Sequence, residues 1–140
     1  MVFDTTYKNE DYDEESALLV GNPFRFMERI KHRGIGSSRF VIESISPKLD
    51  LGKLKFSETD YGNIELRPKG IILHYTRKLE RFSWVIPYYK LTVYDAQYFS
   101  IHANGSAIQF LKNNNYKGNK KFIEKMIQLK NDSLGTDYYN

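Results

Sequence analysis

Three histidines, His32, His74 and His102, are the side chains of this 140-residue chain best suited to proton transfer or metal ligation. None has a carboxylate or a second histidine at a ligand spacing such as i, i+4. Each therefore reads as a surface or half-buried polar residue. The chain has no cysteine, so a nucleophile would have to be serine, and no Gly-x-Ser-x-Gly elbow occurs. Spacing alone assembles no acid, base and nucleophile. The expectation is a protein that is not an enzyme, with no catalytic residues, no metal and no cofactor.

Anion binding has more support. Gly34-Ile35-Gly36-Ser37-Ser38, between Arg33 and Arg39, could cradle a phosphate on backbone N–H groups, but it lacks the Lys-Ser/Thr ending of a P-loop and the third glycine of a dinucleotide fingerprint. A flexible connector is the plainer reading. Lys53, Lys55, Arg77, Lys78 and Arg81 form a second basic set. Lys53 and Lys55 alternate with Leu54 and Phe56, as a solvated strand face would. Tyrosines supply the third feature: Tyr88, Tyr89, Tyr94 and Tyr98 cluster around Pro87. Such rings can bury a face and keep a polar tip wet, which suits an interaction surface.

Charge is divided unevenly. Residues 1–16 carry six acidic side chains against Lys8, a net −5, which leaves +9 for residues 17–140 of the overall +4. An acidic leader, expected to be disordered, precedes a basic body. No apolar run approaches the roughly 18 residues of a membrane-spanning helix, and no basic stretch followed by an apolar core opens the chain. A cytoplasmic location is expected, in keeping with the missing cysteines.

The elements that must position these residues are mostly short strands. The clearest signal is Asn104-Gly105 between two alternating runs, the dipeptide of a two-residue hairpin turn. It sets Ala103 against Ser106, Ile101 against Ile108 and Phe99 against Phe110 on one face, with His102 opposite Ala107 and Ser100 opposite Gln109 on the other. Upstream, strands are expected over 39–46, 51–59, 64–67, 70–76, 81–86 and 89–95. Arg67-Pro68-Lys69-Gly70 suits a tight turn, and Pro87 marks an edge or a break. Asn22-Pro23 looks like a helix start and Gly34 its end, although Phe24 and Phe26 also alternate as a strand would. A second helix is expected over 120–131, with Phe122, Ile123, Met126, Ile127 and Leu129 as its apolar stripe.

This order gives a mainly β fold, a barrel or sandwich of about seven strands with a C-terminal α-helix as plug. Ile64 to Leu73, Trp84-Val85-Ile86-Pro87-Tyr88, the Asn104-Gly105 hairpin and the C-terminal helix together resemble the pleckstrin-homology (PH)-like superfold, particularly its small bacterial members. The resemblance implies one PH-like domain over 17–131, a tail over 132–140, and a non-catalytic binding or scaffold module. Protein–protein interaction or self-assembly through Tyr88, Tyr89, Tyr94 and Tyr98 is the leading expectation. An anionic lipid headgroup or membrane surface, met by Lys53, Lys55, Arg77, Lys78 and Arg81, is the alternative. A single-stranded nucleic-acid partner is a more distant one, and a small-molecule substrate is not expected.

Overall fold

The computed structural model describes residues 1–31, 34–51, 60–77 and 79–139. Its frame is one open antiparallel sheet of eight strands in the order β1-β5-β4-β3-β2-β8-β7-β6. The strands are β1 (Val2–Asp4), β2 (Phe40–Ile45), β3 (Tyr61–Arg67), β4 (Gly70–Arg77), β5 (Glu80–Pro87), β6 (Thr92–Asp95), β7 (Phe99–Ala103) and β8 (Ser106–Phe110). The helices are α1 (Glu10–Val20), α2 (Phe26–Lys31), α3 (Asn114–Gly118) and α4 (Lys120–Tyr139).

The Asn104-Gly105 hairpin has the anticipated register. Phe99 pairs with Phe110, Ile101 with Ile108 and Ala103 with Ser106. Both turn residues have positive φ, 52° and 77°, as a primed turn demands. Arg67 pairs with Gly70 across the Pro68-Lys69 turn, and β5 ends at Pro87 in a single 3-10 turn, Tyr88–Lys90.

β2 belongs to both halves of the sheet. Phe40 and Val41 pair with β3, whereas Ile42, Ser44 and Ile45 pair with β8 after a register shift at Glu43. Such a shift bends a strand, so the inner faces of β3–β5 and β6–β8 enclose one core. Phe40 packs at its centre, with ring centroids 5.2 Å from Phe99 and 5.3 Å from Phe110. Gly62 lies opposite Phe40, where a Cβ would fall 2.9 Å from the Phe110 ring. Trp84, Tyr75, Ile64 and Ile71 fill the same core, and Tyr116 of α3 with Ile123 and Met126 of α4 close it.

Several expectations are corrected. The acidic leader is ordered: β1 pairs with β5, Val2 opposite Trp84, and α1 starts at an Asn9 cap whose side chain accepts from the Tyr12 N–H. The leader folds because it covers the outer face of β4 and β5, where Val20, Ile72 and Val85 form a second apolar cluster with Phe3, Tyr12 and Leu19 packed against it. The tail expected over 132–140 continues α4 as far as Tyr139. Helix α2 starts at Phe26 rather than at the Asn22-Pro23 cap, because Phe24 is drawn into the core, and Gly34 closes it with φ 101° and a bond from its N–H to the Arg29 carbonyl. The strand expected over 51–59 falls, from residue 52 on, outside the described residues.

Candidate functional site

Once β3, β4 and β5 are in register, alternation decides which side chains leave the core. Leu73, Tyr75, Phe82 and Trp84 point inward, so Asn63, Glu65, His74, Thr76, Arg81 and Ser83 occupy the outer face. His74 pairs directly with Ser83 and with Asn63, and Thr76 with Arg81. These positions, with Thr5 after β1, Tyr12 on α1, Arg39 before β2 and Tyr61 at the start of β3, line an outer-face cleft of about 530 Å³.

A file of hydrogen bonds runs beneath the cleft. The Arg67 guanidinium, itself buried, pairs with Glu65 through Nε and donates from Nη1 to the Gly21 carbonyl at 2.8 Å. Glu65 Oε1 lies 3.0 Å from His74 Nε2, His74 Nδ1 lies 2.8 Å from Ser83 Oγ, and Ser83 Oγ lies 2.7 Å from Thr5 Oγ1. With Nε2 carrying the proton towards the carboxylate, Nδ1 accepts from the Ser83 hydroxyl. Burial raises the Glu65 carboxyl, but hydrogen bonds from His74 and Arg67 and the Arg67 charge outweigh it and hold the group below its ordinary value. The Ser83 hydroxyl is fully buried and engaged on both sides, so the file orders the sheet surface under α1 rather than presenting a nucleophile to the cleft.

Two arginines face the same cleft without a carboxylate. Arg39 lies over the Tyr61 ring, 5.3 Å from its centroid, and neither Arg39 nor Arg81 makes an ion pair among the described residues. Arg77 differs. Its Nε and Nη2 meet both oxygens of Asp50, at 3.1 and 3.2 Å, and its Nη1 meets Asp60 at 2.8 Å. The expectation that Arg77 is an anion-binding residue is therefore corrected, because its charge already serves to tie two loops together. Lys53, Lys55 and Lys78 lie outside the described residues.

The tyrosine surface is also redrawn. Tyr88 is 1% exposed and its hydroxyl donates to the Arg67 carbonyl at 3.1 Å, so it is a core residue and not part of an interaction surface. Tyr89 and Tyr94 are exposed, at 68% and 54%, and Tyr98 is half-buried. Tyr94 stands edge-on to His102, ring centroids 4.6 Å apart, on the edge strand β6. The Gly34–Ser38 loop is not a phosphate cradle. The N–H groups of Gly34, Ser37 and Ser38 bond Arg29, Ile64 and Asn119, while Gly36 bridges to Glu65.

A second surface has no counterpart in the sequence reading. Phe24 anchors the chain in the core, and the next turn turns Phe26 and Met27 outward, each 74% exposed between Arg25 and Arg29. The loop after α2 binds α4: Lys125 Nζ donates to the Gly34 carbonyl at 2.9 Å, and Asn119 holds Ser38 through both its amide atoms. The loop from Gly34 to Ser38 thus sits against the start of α4.

Among the described residues no group of three or more His, Asp or Glu side chains is arranged to hold a metal, and no helix is long and apolar enough to cross a membrane. No family model matches the chain, and neither a curated protein nor a solved structure matches it.

Proposed function

We propose that this protein is a non-catalytic binding module of PH-like organisation that docks on an anionic membrane surface through α2 and the basic residues around it. Support for the organisation comes from the connectivity: β2 pairs with both β3 and the last strand, β8, and the C-terminal helix covers the core between the two halves. The docking reading is carried by one observation, the projection of Phe26 and Met27 into solvent within a basic surround. Arg25 and Arg29 flank these two residues, and Lys125 of α4 reaches the Gly34 carbonyl just beyond α2, against Glu28 on α2 itself. Apolar tips gain by entering the acyl boundary, while nearby lysines and arginines gain from anionic headgroups, about 1 kcal/mol each near the surface.

Co-sedimentation with phosphatidylcholine vesicles, with and without phosphatidylglycerol, tests this. Binding is expected only to the anionic vesicles, with strong weakening between low and physiological salt and loss in Phe26→Ser/Met27→Ser. Absence of any phosphatidylglycerol dependence at low salt would sink it.

Self-association is the second reading. β6 is an edge strand with Tyr94 exposed on it, and an edge offers unpaired N–H and C=O groups to another strand. Light scattering after size exclusion would show a dimer that Tyr94→Lys disperses; a monomer at all concentrations would remove it.

A further inference from the structure

The outer-face cleft has the composition of an anion site, although no small-molecule ligand is expected from the residue pattern alone. We infer that it binds a phosphate monoester of nucleotide size, held by the guanidiniums of Arg39 and Arg81. Four observations carry the inference. The cleft's volume, about 530 Å³, falls in the range of roughly 300–1,000 Å³ that small-molecule sites occupy, and exceeds what a bare phosphate fills. Among the described residues, its lining contains two arginines and no carboxylate. Glu65 on the same face is already matched by His74 and Arg67, so it does not cancel the positive field of the cleft. Finally, the Arg39 guanidinium lies over the Tyr61 ring, 5.3 Å from its centroid, at the wall of the cleft.

The chemistry follows from these groups. A guanidinium presents a planar fork of N–H donors that matches two phosphate oxygens, and two such forks suit a dianionic monoester better than a single carboxylate. Asn63 adds a side-chain donor at the same wall, and the Tyr61 ring lines the cleft beside it as an apolar surface for a sugar or base. Arg39 lies just before β2 and Arg81 on β5, so the two arginines approach the cleft from opposite sides of the outer face.

Isothermal titration of the full chain with adenosine monophosphate, inorganic phosphate and adenosine tests the site. The monophosphate is expected to bind, phosphate to compete with it, and adenosine to fail. Arg39→Gln and Arg81→Gln should each weaken binding about tenfold or more, the loss of a charge-assisted hydrogen bond, with unfolding temperatures checked alongside. Phe26→Ser/Met27→Ser should leave the monophosphate affinity unchanged, which separates this site from the membrane-facing surface. If wild-type protein binds neither the monophosphate nor phosphate, or if the double arginine variant binds as wild type does, the inference is overturned. Should the arginine variants unfold, the wild-type His74 ring resonances decide: a saturable shift with the monophosphate and none with adenosine supports the site, and no shift refutes it.

Discussion

The Tyr88 hydroxyl donates to the Arg67 carbonyl at 3.1 Å, joining the exit of β5 to the end of β3 inside the core. Tyr88 and Tyr89 are neighbours in sequence with opposite fates, one enclosed and one in water. Tyr88→Ala is expected to cost about 3–5 kcal/mol, as for other large buried rings. Tyr88→Phe should cost about 0.5–1.5 kcal/mol, and Tyr89→Ala should stay within about 0.5 kcal/mol of wild type. Urea unfolding of the three variants checks the order, and equal losses at both positions would contradict the burial assigned to Tyr88.

Gly70 is set against backbone. A Cβ there would lie 2.3 Å from the Ile86 carbonyl oxygen and 2.5 Å from Val20 Cγ1, where α1 crosses the sheet. Gly70→Ala should therefore destabilise by about 1–3 kcal/mol or more. Gly105→Ala meets nothing within 4 Å but must hold φ at 77°, so its cost should be about 1–2 kcal/mol, from backbone strain alone. Denaturant midpoints distinguish the two, and a second substitution, Val20→Ala, should ease the Gly70→Ala loss while leaving Gly105→Ala unaffected.

Removing residues 1–21 should not give the inert trimming expected of a disordered leader. It strips β1 from β5 and uncovers Ile72 and Val85, each worth about 1.5–3 kcal/mol of buried side chain. The truncated protein is expected to melt lower and to bind an apolar dye; a melting temperature unchanged from full length would show that the strap contributes nothing.

Acid should act through Glu65. Its carboxyl is held below the ordinary value in the folded protein. The stability it contributes is therefore present above the unfolded carboxyl value, about 4.3, and is lost as pH falls through the lower folded one. Glu65→Gln should lower stability at neutral pH and flatten the acid limb of the urea midpoint against pH. An acid limb as steep as the wild type's would place the titrating group elsewhere.

How far the sequence could be read follows from what each element depends on. The β7–β8 hairpin was legible to the residue because a two-residue primed turn and two alternating runs specify the same register locally. The β3–β4 turn and the Pro87 break were legible for similar reasons. Residues 1–16 were not, since their acidic run conceals that Phe3 and Tyr12 are spaced to cover a sheet formed by residues far downstream. The outer-face residues Asn63, His74, Arg81 and Ser83 lie on three strands, and nothing in their spacing announces a cleft until those strands are aligned. Arg77 and Arg81 look alike in sequence, but only the fold brings Asp50 and Asp60 to Arg77.

Because β1 and β2 take their partners from so far along the chain, synthesis itself must proceed with the sheet unfinished. Thr5 waits 78 residues for Ser83, and Ser44 waits 65 for Gln109. The β3–β4–β5 meander can pair as it emerges, but the strand that closes the core onto it is completed only when β8 has left the ribosome. Until then Phe40 and the inner face of the meander stand open to water, a nascent-chain interval in which a chaperone, rather than the native partner strand, would cover them.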